Sequence, residues 1–375
     1  MRVAFVLGTT SGGTGRHVHM LVEGLVRRGH QVLVVGPRSV EERFSYTGAG
    51  ARFAEVTVSD RPHPFNDARA VLAIRRLTRG ADVVHAHGLR AGALAALGRR
   101  SPRRGSSRAV AARAPLVVTL HNALTAGGLI GLVYGLLERV VAGRADRVLV
   151  VSPDLGERMA ALGARDVRAA VVPAPPPPPA RRGPEEVRAE LGAGRRPVLL
   201  TIARLAQQKG LDTLLDVARG PWPDDDPERS PLFVVAGEGP LREPLQARID
   251  AERLPVTLLG NRDDVPDLLA AATAVVATAR WEGQPLSLSE TLMVGRPVIA
   301  TEVGGIPGLL GGAGVLVPYG DVEALRRAVQ ELVGDPGAVE RMAEASARRG
   351  AELPDADDAV ERIMSDYGQE DRTKD

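Results

Sequence analysis

Residues 1–37 read MRVAFVLGTTSGGTGRHVHMLVEGLVRRGHQVLVVGP. The run at 2–7 is short and wholly apolar after its first residue. It enters a loop containing Gly12, Gly13, Thr14 and Gly15. Residues 17–30 then place apolar side chains at helical spacing, and 31–37 return to an apolar strand. A strand, a glycine loop, a helix and a second strand open a doubly wound α/β domain. The strands are apolar throughout rather than alternating, which predicts parallel strands covered on both faces.

The same rhythm continues outward. Strands are expected at 53–58, 82–85, 116–120 and 147–151, each followed by a polar or glycine-containing turn and a helical stretch. VVPAPPPPPARRGP follows, and its five consecutive prolines at 175–179 exclude helix and central strand, so it reads as a linker in extended polyproline geometry. A second alternating series then runs through PVLLTIAR, GLDTLLDVAR, LFVVAGEG, VTLLGN, AVVATA, PVIAT and GVLVP. At 375 residues the chain exceeds one ordinary core. The expected division is an N-terminal domain at 1–172, a linker at 173–184, a C-terminal domain at 185–354 and a helix at 355–375. Val360, Ile363, Met364 and Tyr367 share one side of that last helix, a face suited to packing back on the first domain.

Composition excludes several classes. A hydrophobic share of 44% is that of a globular chain, and no apolar run reaches membrane-spanning length. The N-terminus has the character of a strand rather than of a signal peptide, and the chain reads as cytoplasmic. With no cysteine, disulfides and thiolate metal sites are excluded. Charge is divided: residues 1–172 carry 25 arginines against 12 acids, a net of +13, and the remainder has a net of −11. The densest basic part is Arg99, Arg100, Arg103, Arg104, Arg108 and Arg113, either a solvated arginine-rich loop or a docking face for an anionic membrane or acceptor. Of the 48 basic residues only Lys209 and Lys374 are lysine. A lone lysine beside Gly210 therefore marks a place that needs a compact ammonium rather than a planar fork.

Residues 280–308, RWEGQPLSLSETLMVGRPVIATEVGGIPG, set Glu282 on a turn and Glu290 about two helical turns along. Between them lies a helix N-terminus whose free N–H groups can cradle an anion. A carboxylate on each side suits a ligand with phosphate in the middle and hydroxyls at both ends. Arg204 and Lys209 flank a strand-to-helix turn, where two cations suit a diphosphate. Of the seven histidines, His85, His87 and His121 are expected at the carboxyl edge of the first sheet. A zinc site from these three would lack supporting acids, so polar contacts to a substrate are the expected role and no metal site is assigned. A nicotinamide-binding loop is disfavoured, because the second strand ends in Gly36, Pro37 and Arg38 rather than in an acid. The acids Asp224, Asp225 and Asp226 sit in a proline-bounded turn and read as solvated.

Taken together and in order, GGTGRHV, VVHAHG, TLHN, VSPDL, ARLAQQKG, VVAGEGPLREPL, LLGNRDDVPDLLAAA, the Glu282/Glu290 block and PVIATEVGGIPGLL resemble the family 4 glycosyltransferases over nearly the whole chain. The resemblance implies the GT-B fold, two Rossmann-like doubly wound domains facing a central cleft. It also implies retaining, metal-independent transfer of a sugar from a nucleoside-diphosphate sugar to an acceptor hydroxyl, with no cofactor. Glu282 and His121 are then the catalytic residues. Glu282 would meet the donor sugar, and His121 its primary hydroxyl. Gly12, Gly13, Gly283, Gln284, Pro285, Leu286 and Ser287 would surround the phosphates, Arg204 and Lys209 would neutralise them, and Glu290 would hold the ribose. The acceptor is a small molecule, glycan or lipid. Peripheral contact at the inner membrane face is allowed, and nucleic acid is not expected. The chain departs from the family at Ala174 and Pro175, at Thr291 where alanine is usual, and at Gly308 where an acid is common. A GT-B nucleotide-sugar epimerase and a catalytically silent interaction protein are the alternatives.

Overall fold

The computed structural model describes residues 1–10, 12–58, 63–99, 114–123, 128–222 and 230–368. Two compact units emerge, one of Met1–Pro173 with Pro354–Asp375 and one of Ala174–Leu353. The arginine-rich segment from Arg100 to Arg113 and the acids Asp224, Asp225 and Asp226 lie outside the described residues.

The first unit is built on β1 (Arg2–Leu7), β2 (Gln31–Gly36), β3 (Arg52–Glu55), β4 (Val83–His87), β5 (Leu116–Leu120), β6 (Arg147–Val150) and β7 (Val167–Ala169). They form one parallel sheet in the order 3-2-1-4-5-6-7. Its helices are α1 (Gly13–Arg27), α2 (Arg38–Phe44), α3 (Pro64–Leu77), α4 (Leu89–Gly98), α5 (Gly128–Arg144) and α6 (Pro153–Ala161). The second unit pairs β8 (Val198–Ile202), β9 (Leu232–Ala236), β10 (Val256–Gly260), β11 (Ala274–Ala277), β12 (Val298–Thr301) and β13 (Val315–Val317) in the order 10-9-8-11-12-13, again all parallel. Around it pack α7 (Pro184–Glu190), α8 (Leu211–Ala218), α9 (Arg242–Glu252), α10 (Val265–Ala271), α11 (Leu286–Met293), α12 (Ile306–Leu310), α13 (Val322–Gly334) and α14 (Pro336–Ala351). The chain ends its described part with α15 (Ala356–Asp366), which belongs to the first unit.

Both faces of the second sheet are apolar. Leu199, Phe233, Val235 and Ile299 join one cluster, while their strand neighbours Val198, Leu200, Val234 and Val298 join another. Side chains alternate between faces along a strand, so covering both faces demands the unbroken apolar runs seen in the sequence. In the first unit, α15 buries Val360, Ile363 and Tyr367 beside Leu21, Val22 and Leu25 of α1. Gly24 makes this approach possible: a Cβ there would lie 2.4 Å from Val360 Cγ2. Asp355 and Asp358 close a capping box at the start of α15.

Three sequence expectations shift. The strand expected at 53–58 ends at Glu55, because Val56 N makes the final ladder bond to Gly36 O and the edge then peels away. The strand expected at 82–85 runs on to His87, paired with Leu7 on one side and Thr119 on the other. Arg99, counted with the basic docking cluster, is instead tied down by Asp146 at 2.6 Å and by Ala114 O at 2.8 Å. Among the described residues no helix is long and apolar enough to cross a membrane.

Each sheet reverses its winding at its middle, between β1 and β4 in one unit and between β8 and β11 in the other. At such a point the loops leaving the two strands diverge and leave a crevice outside their carboxyl ends.

Candidate active site

In the second unit this crevice is a small, partly open pocket. Thr201, Ile202 and Ala203 from the end of β8, and Ala277, Thr278 and Ala279 from the end of β11, form its floor; Lys209, Glu282, Pro285, Ser287 and Ile306 complete it. Its two charged groups are held by backbone straps. The 3₁₀ turn Gln207–Lys209 is tied to the strand exit by Arg280 N to Gln208 O at 2.8 Å, Gln208 Nε2 to Trp281 O at 3.0 Å and Thr278 Oγ1 to Lys209 O at 3.2 Å. Gly210 closes the turn at φ 60°, where a Cβ would stand 2.0 Å from Thr278 O. On the other side Thr301 Oγ1 donates to Ala279 O at 2.7 Å and Gly305 N to Glu282 O at 3.0 Å.

With both backbones fixed, Lys209 Nζ and Glu282 Oε1 form an ion pair. The side chains keep only 24% and 14% of their exposure. A lysine so placed is a positive charge that can change partner without moving its backbone. Arg204 is exposed and, among the described residues, forms no ion pair.

Helix α11 begins at Leu286 behind Pro285, which fixes the entry and offers no side-chain cap. By helix geometry the first amides have no intrahelical acceptor, and Ser287 and Leu288 line the pocket. Glu290 is therefore the fifth residue of α11, one turn in rather than the expected two, because the turn that carries Glu282 extends through Pro285 before the helix starts. The pocket thus gathers Lys209, Glu282, Pro285 and Ser287; Arg204, Gly283, Gln284, Leu286 and Glu290 lie outside its lining. Thr291, the departure from alanine, is buried and satisfied by donating to Ser287 O at 2.7 Å. The pocket's floor at Thr201, Ile202 and Ala203 was missed in the sequence, although a strand terminus just before Arg204 is the signal that marks it.

In the first unit the β1/β4 crevice holds imidazoles. Gly12 precedes α1 and Gly13 opens it; a Cβ on Gly12 would meet nothing within 4 Å among the described residues. His121 follows β5 directly and is half-buried, and its Nε2 lies 3.0 Å from His87 Nδ1. His17, unmarked in the sequence among seven histidines, stands edge-on to both, with ring centroids 5.8 Å from His87 and 5.6 Å from His121. His85 is not at the carboxyl edge. The two-residue extension of β4 leaves it inside the sheet, fully buried between Tyr367 Oη at 2.8 Å and Thr119 Oγ1 at 2.7 Å. Burial holds all four rings neutral: it lowers His85 to about 3 and His121 to about 4, and His17 and His87 well below the ordinary value, with neighbouring imidazoles adding to the effect at His17, His85 and His87. Among the described residues no three His, Cys, Asp or Glu side chains are grouped so as to hold a metal ion.

Comparison with known proteins agrees with both units. Residues 12–175 match the glycosyl transferase 4-like domain and residues 196–335 match glycosyl transferases group 1. The chain is 31% identical over 173 residues to the alpha-D-kanosaminyltransferase of Streptomyces kanamyceticus, an alignment that spans 43% of either protein, less than half of that relative's length. It is 28% identical over 385 residues to the glycogen synthase of Mycobacterium tuberculosis, covering 90% of this chain and 86% of that one. In fold it is similar to Anabaena Alr3699/HepE, solved in complex with UDP and glucose, with a TM-score of 0.77, 18% identity and coverage of 98% and 99%. Two glycosyltransferase family domains, on two parallel doubly wound sheets, place the chain among the family 4 glycosyltransferases of the GT-B fold.

Proposed function

We propose that this chain transfers a sugar from a nucleoside-diphosphate sugar to an acceptor hydroxyl, with retention of configuration and without a metal ion. The observation that carries the reading is the strapped Lys209–Glu282 pair at the mouth of the β8/β11 crevice, beside the open N-terminus of α11. As the bond between the anomeric carbon and the phosphate oxygen breaks, negative charge grows on that oxygen. The Lys209 ammonium, the Arg204 guanidinium and the first amides of α11 receive it. One such contact is worth about 10²-fold in rate. Glu282, released from Lys209 by the incoming phosphates, accepts hydrogen bonds from sugar hydroxyls, and Glu290 takes the ribose hydroxyls. Within the first unit, the open space at Gly12, beside Gly13 at the start of α1, suits a phosphate, and neutral His121 suits a sugar hydroxyl. The acceptor hydroxyl attacks on the face the phosphate leaves, its proton passing to the departing phosphate oxygen.

The donor class is supported by what similar proteins are named for: UDP and glucose in the HepE structure, and UDP-Gal for the Escherichia coli galactosyltransferase that matches 109 residues at 28% identity. Incubation with UDP-, GDP- and ADP-sugars, with and without acceptor alcohols, tests the proposal. Transfer to an acceptor supports it. An epimerised sugar from donor alone would indicate an isomerase, and consumption of none would leave a silent GT-B protein.

A further inference from the structure

The four clustered imidazoles His17, His85, His87 and His121 are arranged unequally. His87 is nearly fully buried, its ring lies against His85 at 4.1 Å between centroids and nearly parallel to His121 at 5.3 Å, and its Nδ1 faces His121 Nε2. Its other nitrogen, Nε2, is buried with no hydrogen-bond partner among the described residues, as is His17 Nδ1. Two neutral rings sharing one contact have only two ways to place their protons. If His121 donates from Nε2, then His87 must accept at Nδ1 and carry its own proton on Nε2, where it would be a buried N–H without an acceptor. If His87 donates from Nδ1, only a lone pair is left at its buried Nε2. A buried donor without a partner is the rarer and costlier of the two. The second arrangement forces the His121 proton onto Nδ1, an atom with no hydrogen bond among the described residues on a ring that is only half-buried.

We propose that His87 is a positioning residue that sets the tautomer of His121, so that His121 meets a ligand oxygen as a neutral N–H donor through Nδ1. The stack beneath it holds the ring plane: Tyr367 at the end of α15 and Thr119 on β5 clamp His85, and His85 supports His87. His17, with its own buried nitrogen unpartnered, closes the side of the same cluster. A group delivered this way suits the oxygen of a sugar hydroxyl, which accepts from a neutral donor without the desolvation that a charged one costs.

The test reads protons directly. Two-bond proton–nitrogen correlation spectra of the full-length protein labelled at histidine, with His121 assigned by its loss in His121→Asn, should show a pyrrole-type Nδ1 and a pyridine-type Nε2 for His121 at neutral pH. In His87→Leu, where nothing donates to His121 Nε2, the proton should move to Nε2, with kcat down about tenfold and donor KM within about twofold. His87→Asn can set an amide N–H where Nδ1 stood and should restore kcat to within about threefold of the parent. A wild-type His121 protonated at Nε2, or a tautomer unmoved in His87→Leu, would overturn the assignment. So would a moved tautomer with unchanged kcat. The kinetic arm rests on the proposed sugar transfer and the spectroscopic arm does not. A wild-type protein that transfers nothing would refute that function, while its spectrum still decides the tautomer.

Discussion

Gly304→Ala isolates the backbone strap that aims Glu282. Gly304 sits at φ +54°, and a Cβ built there would lie 1.8 Å from Glu282 O and 3.3 Å from Trp281 Nε1. A carbon in contact with a carbonyl oxygen needs about 3.3 Å, so the two must separate by roughly 1.5 Å. The left-handed conformation adds about 1–2 kcal/mol for any residue with a Cβ. Relief must come from moving the 281–282 segment, which breaks the Gly305 N to Glu282 O bond of 3.0 Å and draws the carboxylate away from Lys209. A displacement of about 1 Å at a reacting centre can cost ~10²-fold in rate. The expected result is therefore a fall of about 10²-fold in nucleoside diphosphate release. The thermal midpoint should drop by at least about 2–8 °C, the share that about 1–2 kcal/mol of backbone strain gives in a domain of this size, and the lost hydrogen bond adds to it. Gly308→Ala is the internal control, since a Cβ there meets nothing within 4 Å and φ is not positive; it should keep nearly full turnover and gain a little stability from helix propensity. Turnover in Gly304→Ala above a third of the parent, with an unchanged midpoint, would refute the argument that this strap aims Glu282.

Lys209→Ala and Glu282→Ala should each lower transfer by about 10²-fold or more while shifting the urea midpoint little, because a partly exposed ion pair contributes about 1 kcal/mol or less to folding; unfolding of either variant at room temperature would mean that the pair is structural. Gly24→Ala should destabilise the first unit, since overpacking against Val360 costs about 1–3 kcal/mol and helix propensity returns at most about 1. Val360→Ala in the same molecule should recover part of the loss, and a double-mutant cycle in urea showing no coupling would contradict the contact. The histidine cluster makes stability depend on pH in a defined direction. Its folded values lie below the unfolded value of 6.5, so the unfolded chain binds protons that the folded chain refuses. Stability is thus full above pH ~6.5 and is lost as pH falls toward 4, by up to ~1.4 kcal/mol per pH unit for each ring. Urea midpoints at pH 7 and pH 5 check this, and His121→Asn should lessen the difference.

Much of this architecture was legible because it depends on local rules. Strands covered on both faces must be apolar throughout, so 2–7 and 31–36 could be read directly, and the α15 periodicity of Val360, Ile363 and Tyr367 pointed to a buried face that α1 covers. The three-residue β7 was not legible, because an edge strand reading VRA and only half covered carries no apolar run. In the site, the rarity of lysine drew attention to Lys209, and the structure puts it on Glu282, 73 residues away. What sequence could not supply were relations set by the sheet. Gly304 abuts Glu282 only because β12 returns beside β11. His85 leaves the edge because β4 runs two residues further, and His17 joins His87 only through the packing of α1 over β1 and β4.

The measurement closest to the central claim follows the anomeric signals of donor and product by proton magnetic resonance. The protein is supplied with UDP-, GDP- and ADP-sugars and a mixture of acceptor alcohols, in parallel with Lys209→Ala. The account predicts that one donor is consumed, that nucleoside diphosphate and glycoside appear in equal amounts, that the product keeps the donor's anomeric configuration, and that the variant does this at least about 10²-fold more slowly. A product of inverted configuration, or equal rates with and without Lys209, would contradict it.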